Sequence, residues 1–471
     1  MNSVYQTVFV RYLAGMWMSG VYAPVADEAD AKDLVVTGQV PAGLRGAFLR
    51  NGPNPMFPPL GRYHLFDGDG MVHGLWFDGE GATRYSNRWI RSAGLDAEEA
   101  AGHSLFGGLS EFRLPPPEVM AVAGPMKNTA NTSLVRHAGR VLALMEGCKP
   151  TEITESLDTI GEYDFAGALS GPMTAHPKVD PRTGEMVFFG VSPVAPFLRV
   201  HSATPDGTLT WSTEVELPGP VMMHDFVITA TSVVIFDLPA VFDLEALLTG
   251  GEGIRWEADH GARIGVLGRG EPGTSIRWID VDPFWVFHFL NAYDEPDGNG
   301  IVVHGCRADS LNTSFDGEVL EDPPQPKLHE WRVDVGAGSV TDRPLDDRAG
   351  DFPRIDERRT GLEARYGYLG QGPEGHDDEQ VFNAVVKYDL AGGTSATAVY
   401  GADVVSGEPV FTPDPSSTDE DAGWILNWVH DRTTEESTVV ILDAGSLDEV
   451  ARVHLPRRVP FGFHGTFIPS A

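Results

Sequence analysis

The chain has 471 residues, 42% apolar and 22% charged, with 34 Lys plus Arg against 68 Asp plus Glu and a formal net charge of −34. This composition supplies a large core, while the charge repels nucleic acid and anionic headgroups at long range, so no nucleic-acid partner is expected. The only two cysteines, Cys148 and Cys306, exclude a disulfide framework, a CxxC redox pair and a cysteine zinc site, which fits a reducing cytoplasm.

Residues 8–25, VFVRYLAGMWMSGVYAPV, carry one charge, Arg11, and two glycines. The stretch lacks a cleavage signal and is too broken for a spanning helix. It reads either as an interfacial segment resting on a membrane or as a strand or loop packed on the body. Helical periodicity appears only in short pieces, near 95–108 and at 242–248.

The rest is a succession of short β-type runs. VLALME (141–146), EMVFFG (185–190), SVVIFDLP (232–239), FWVFHFL (284–290) and GIVVHG (300–305) come first. KLHEWRVDV (327–335), VFNAVVKYDL (381–390), GWILNWVHD (423–431) and STVVILDA (437–444) follow. Each is rich in Val, Ile, Phe or Trp and most end at Gly, Pro, Asp or Asn. Residues 314–327 and 414–422 read as surface loops. No GxGxxG or GxxxxGK[ST] fingerprint opens a helix, which removes the nucleotide-binding folds. So many short strands without α/β alternation predict an all-β fold, and at this length a propeller spanning 1–471 as one domain with cap insertions.

Fifteen histidines are present. His103, His260, His376 and His454 lie in polar surroundings and read as surface. His176, His224, His288 and His464 each stand at the edge of an apolar run, followed within a residue by Pro, Asp, Phe or Gly. They are separated by 48, 64 and 176 residues. Such spacing suits one inward side chain from each of several β-units, not a local zinc motif. Each is either a packed core residue or a ligand. Four neutral imidazoles would suit iron, copper, zinc or nickel and leave coordination positions open. Imidazole ligands need their second nitrogen oriented by a carboxylate. Glu146, Asp351 and Glu408, acids embedded in apolar strands, are candidates, although each also reads as a strand-end carboxylate.

A series of blocks carries a resemblance: GAFLRNGPNPMF (46–57), YHLFDGDGMVHG (63–74), NTANTSLVRHAGRVLALMEG (128–147), TAHPKVDPRTGEM (174–186), MMHDF (222–226), HFLNAYDE (288–295), DFPRIDERRTG (351–361), GEPVFTP (407–413) and RVPFGFHG (458–465). In these, over nearly its whole length, the chain resembles the carotenoid cleavage oxygenases, which include stilbene-cleaving and retinoid enzymes. The resemblance implies a seven-bladed β-propeller with a helical and loop cap over one face. It implies non-haem Fe(2+) bound by His176, His224, His288 and His464, with dioxygen as co-substrate. One C=C bond of a conjugated alkene would be cleaved to two carbonyl products. Glu146, Glu408 and Asp351 match three ligand-orienting glutamates, the last shortened by a methylene. That shortening leaves a water bridge, an inward backbone shift or a looser histidine as alternatives. Thr132 matches a threonine beside an open iron position.

Relatives that cleave 4-hydroxystilbenes or isoeugenol-type phenols carry a lysine and a tyrosine where this chain has Met145 and Leu109. An apolar pair leaves a buried phenol oxygen unpaired, at about 1–3 kcal/mol. The expectation is therefore a carotenoid or apocarotenoid in an apolar tunnel lined by Phe66, Leu65, Phe57, Leu109 and Met145, residues that would otherwise be plain core. Cleavage of a stilbene or phenylpropenoid, and isoprenoid binding or isomerisation without cleavage, stay open. The apolar segment 8–25 would suit a peripheral membrane contact.

Overall fold

A computed structural model describes residues 15–296, 298, 300–315, 320, 323–372 and 381–470. Residues 8–14 of the apolar N-terminal stretch, 316–319 and 321–322 of the expected loop, and His376 lie outside them.

Seven antiparallel sheets of four to six strands form the blades of a β-propeller. In chain order their innermost strands are Ser133–His137 (blade 2), Lys178–Val179 (blade 3), Val227–Ile228 (blade 4) and Trp285–Asp294 (blade 5). Gly350–Arg354 (blade 6), the pair Val404–Ser406 and Val410–Pro413 (blade 7), and Gly465–Pro469 (blade 1) complete the ring. Closure is double. The C-terminal strand Gly465–Pro469 pairs with Arg45–Arg50 of blade 1, and the N-terminal strand Val36–Gly38 pairs with Glu449–His454 of blade 7.

Why the central strands are apolar on both faces follows from this ring. Side chains alternate across a strand, and each blade is covered on two sides. Val233 and Ile235 pack toward blade 3, whereas Val234 and Phe236, one residue out of phase, pack toward blade 5. Val439 and Ile441 meet blade 1, and Val440 and Leu442 meet blade 6. Each such buried side chain contributes about 1.5–3 kcal/mol.

The cap is built from chain between blade strands. Helix Ala93–Ala101 begins where the Ser92 hydroxyl accepts Leu95 N and stops at Gly102, φ 73°, a left-handed position that glycine adopts without a Cβ clash. Helices Pro117–Ala123 and Leu244–Leu248 and the hairpin Ala240–Phe242/Ile254–Trp256 complete it. The described part of the N-terminal stretch docks on the body: Trp17, Val21 and Tyr22 are buried with Leu65 and Phe463. Two of the histidines read as surface are partly exposed and hydrogen-bonded. His260 Nε2 lies 3.0 Å from the buried Asp237, and His454 Nε2 lies 3.0 Å from Thr37 Oγ1. His260 precedes the strand Ala262–Gly268, and His454 ends the strand Glu449–His454.

Candidate metal centre and cavities

The four apolar-flanked histidines come from the axial ends of four blades. His176 and His224 immediately precede the inner strands of blades 3 and 4, His288 lies within that of blade 5, and His464 precedes the closing strand of blade 1. Their ligand atoms all lie within 4.8 Å of one another. The Nε2 atoms of His176 and His224 are 3.0 Å apart, and those of His224 and His288 are 3.2 Å apart.

The remaining three blades supply the carboxylates. Glu146 follows the second strand of blade 2 and brings Oε1 to 2.7 Å from His224 Nδ1. Asp351 of blade 6 accepts His288 Nδ1 at 3.0 Å. Glu408 of blade 7 accepts His464 Nδ1 at 2.9 Å and Gly465 N at 2.8 Å. Among the described residues no carboxylate partners His176, whose backbone N donates to Thr174 Oγ1. The shortened acid reaches its histidine directly. The strand bulges between Asp351 and Arg354, and Phe352 takes φ 55°, a sparsely populated conformation for a side-chain-bearing residue.

Electrostatics favour the metal-binding forms of Glu408, Glu146, His176 and His464, but not of His288. Burial alone would raise Glu408, but Arg354 and His464 bring it down to about 2. Burial likewise pushes Glu146 up, and His224 more than offsets that. Burial and the neighbouring imidazoles hold His176 well below the usual histidine value; burial also lowers His464, against the pull of Glu408. For His288 burial is outweighed by Asp351, and its pKa is raised. With the Nδ1 atoms of His224, His288 and His464 facing carboxylates, their Nε2 atoms are left to present lone pairs toward the centre. The Nε2 atoms of His176 and His288 approach that of His224 to 3.0 and 3.2 Å. Such a set is repulsive alone and satisfied by a cation, so the residues fit a divalent metal.

Two cavities meet at this centre, sharing Phe66, Thr132 and Glu146. The smaller, about 190 Å³, is walled by His224, His288 and His464 with the rings of Trp17, Phe352 and Phe463. The larger, about 420 Å³, runs under the cap. Phe66 and Thr132 line both, Leu65 the smaller, and Phe57, Leu109 and Met145 the larger. The Thr132 hydroxyl donates to Asn131 Oδ1 at 3.0 Å, which fixes its rotamer. A further cavity of about 450 Å³ borders the centre, lined in part by His176, His288 and His464 and by the charged side chains Lys178, Asp225 and Arg354.

Some participants escaped sequence reasoning. Arg354 donates to both Glu408 Oε2 (3.1 Å) and the Gly465 carbonyl (3.0 Å); a cation inside the DFPRID block was its only sign. Trp17, Phe461 and Phe463 line the smaller cavity from the two ends of the chain, and no local pattern marks them.

Residues 22–469 match the family model described as retinal pigment epithelial membrane protein. The chain belongs to the carotenoid cleavage oxygenase family. It is 35% identical over 505 residues to the carotenoid cleavage oxygenase of Mycobacterium tuberculosis, covering 96% of this chain and 97% of the relative. It is 35% identical over 491 residues to the carotenoid 9,10(9',10')-cleavage dioxygenase 1 of Pisum sativum, covering 96% and 90%. The crystal structure of Pseudomonas brassicacearum lignostilbene dioxygenase is similar with a TM-score of 0.89 at 30% identity, over 96% of this chain and 98% of that one. Cobalt-substituted Synechocystis ACO gives 0.85 at 27% identity, over 95% and 97%. The chain is an oxidoreductase of the dioxygenase type, as its named relatives are.

Proposed function

We propose that this enzyme cleaves one C=C bond of a carotenoid or apocarotenoid to two carbonyl products, using Fe(2+) held by His176, His224, His288 and His464 and dioxygen as co-substrate. The observation that carries the reading is the meeting of two largely apolar cavities beside four convergent imidazoles. An extended apolar chain threading both cavities has a mid-chain double bond at the centre and an arm on each side.

Iron bound here would supply the activation of dioxygen. The chain's own residues do the rest. Glu146, Asp351 and Glu408 hold three imidazoles in the tautomer that leaves Nε2 free. Thr132, its hydroxyl turned to Asn131, sits where the two arms meet. Phe66, Phe287 and Phe352 exclude water from the reacting bond. Met145 and Leu109 offer a phenol oxygen no polar partner, which disfavours hydroxystilbenes.

The larger cavity opens between Leu114 and Leu248, both more than half exposed. This rim, rather than the docked segment 15–25, suits a neutral patch resting on a membrane or other apolar store. Among the described residues no helix is long and apolar enough to cross a membrane.

The test is anaerobic reconstitution with Fe(2+), then addition of dioxygen with a panel of apocarotenals and stilbenes, and mass spectrometry of the carbonyl products. Paired aldehydes from the apocarotenals are expected. Cleavage of resveratrol with the apocarotenals untouched would reverse the substrate assignment.

A further inference from the structure

Glu408 holds its histidine twice, at His464 Nδ1 and at the N–H of the next residue, Gly465. The chain segments that follow the other three histidines converge on a different acid, Asp225. Its Oδ2 accepts Phe289 N, one residue beyond His288, at 2.9 Å. Its Oδ1 accepts Phe226 N at 2.8 Å and lies 2.7 Å from Lys178 Nζ. Lys178 stands two residues beyond His176, and Asp225 itself follows His224. One buried carboxylate, 4% exposed, thus joins blades 3, 4 and 5 within two residues of three ligands.

The need for such an anchor follows from where those ligands sit. The innermost strand of a blade has no neighbour on its axial edge, so N–H groups there need acceptors from outside the sheet. Lys178–Val179 and Val227–Ile228 are two residues long and fix backbone direction weakly. Trp285–Asp294 is longer, but its register shifts on both sides of Phe289, and a bulged strand bends and re-aims its side chains. Metal–nitrogen distances tolerate about 0.2 Å, less than such strands hold by themselves.

We propose that Asp225 is a positioning residue of the metal centre, setting through Lys178, Phe226 N and Phe289 N the backbones that carry His176, His224 and His288. Thr174 adds a second tie between the first two: its hydroxyl accepts His176 N at 3.1 Å and donates to the His224 carbonyl at 3.3 Å. The inference rests on the reading of the four imidazoles as a metal site and is independent of which alkene is cleaved.

Charge must be separated from position. Asp225 and Lys178 are oppositely charged, so removing both leaves the net charge unchanged, and a loss of affinity then reports position. In Asp225→Asn the amide has one acceptor oxygen for donors on both sides of the carboxylate, so at least one ligand-bearing backbone loses its tie.

The experiment measures Co(2+) affinity of the full-length protein by chelator competition, with the cobalt absorption bands as a readout of ligand geometry. In the double variant Asp225→Asn with Lys178→Met, affinity should fall about 10- to 100-fold, the range for lost outer partners of metal ligands, and the bands should shift. Glu330→Gln controls for loosening at large. Its carboxylate is also buried, with His304, Arg332 and Arg343 as partners, none of which adjoins a ligand histidine. This control should unfold at lower urea yet keep Co(2+) affinity within twofold and the bands in place. If the double variant does not fold, Asp225→Glu takes its place; it keeps the charge, sets the carboxylate a methylene further out, and should lower affinity more than twofold. Affinity within twofold with unshifted bands in the charge-neutral variant, or an equal loss in Glu330→Gln, overturns the proposal. If the unsubstituted protein binds Co(2+) tightly and the variants bind it as well, only this inference fails. If the unsubstituted protein binds none, the metal reading falls and this inference with it.

Discussion

Replacing Glu408 by Gln forces a choice that the geometry makes countable. The carboxylate has two acceptor oxygens serving three donors: Oε1 takes His464 Nδ1, and Oε2 takes Gly465 N and Arg354 Nη1. The amide of Gln offers one oxygen and one NH2. If the oxygen replaces Oε2, the NH2 faces His464 Nδ1, the imidazole must accept there, and its proton moves to Nε2, the atom that points at the centre. If the oxygen faces His464 instead, the NH2 opposes two buried donors. Two orphaned donors cost about 2–6 kcal/mol, so the first arrangement wins and the fourth ligand is lost to its tautomer. Metal affinity should fall by at least the 10- to 100-fold typical of lost orienting partners, about 1.4–2.7 kcal/mol. Arg354, 16% exposed at its side chain, also loses a counter-charge, and the metal-free protein should lose about 3 kcal/mol or more. Chelator competition monitored by Co(2+) absorption reads the first effect, and urea unfolding of metal-free protein the second. Co(2+) affinity within twofold of the unsubstituted protein would refute the tautomer argument.

Installing the missing phenol grip, Leu109→Tyr with Met145→Lys, should shift the ratio of kcat/KM for a 4-hydroxystilbene over an apocarotenal upward by about 10- to 100-fold, the range of a charge-assisted hydrogen bond; paired product assays measure it. Gly70→Ala should destabilise by about 2 kcal/mol or more, because its Cβ would lie 2.6 Å from the Thr129 carbonyl oxygen and 2.7 Å from that of Ala130, and overpacked backbone yields poorly; thermal unfolding checks this. Asp180 is buried, which raises it, but Arg182 and Arg269 bring it down to about 2. A depressed carboxylate stabilises above its unfolded value near 3.8 and loses that contribution as pH falls toward 2. Asp180→Asn should therefore cost stability at pH 7 and flatten the acid limb between about pH 4 and 2, read by circular dichroism.

Legibility in the sequence followed burial. Ser232–Asp237 is buried at every position and its inner-sheet character is plain in SVVIFD, as it is in VVILD of blade 7. Outer strands such as Ser339–Pro344 and Thr394–Val399 are exposed at nearly every residue. Backbone pairing to an inner neighbour holds them, and their side chains record nothing of it. The four convergent histidines stood out because an imidazole at an apolar strand end is chemically conspicuous. Arg354 and Asp225 did not, since what distinguishes them is a set of partners, and that exists only in three dimensions. Asp351 shows the same limit from the other side. Its type was legible, but whether one methylene too few could be recovered depended on a bulge and on the backbone of Phe352.

The centre draws on every blade, four for imidazoles and three for carboxylates, and its most dependent part lies on the closure seam. Pairing of Gly465–Pro469 with Arg45–Arg50 fixes His464. The backbone on both sides is tied as well: Phe463 N donates to the Asn51 carbonyl, Asn51 N to the His464 carbonyl, and His464 N to the Thr132 carbonyl in blade 2. Glu408 then reaches from blade 7 into blade 1 to hold both His464 Nδ1 and Gly465 N. Opening the ring at this seam would remove a ligand and its orienting acid in one event. A metal that binds only the closed ring therefore stabilises closure by the linkage relation, about 2.7 kcal/mol at a free concentration one hundred times Kd. With a metal held by the four imidazoles, a histidine delivered by the last strand would make the completed circle a condition of metal binding.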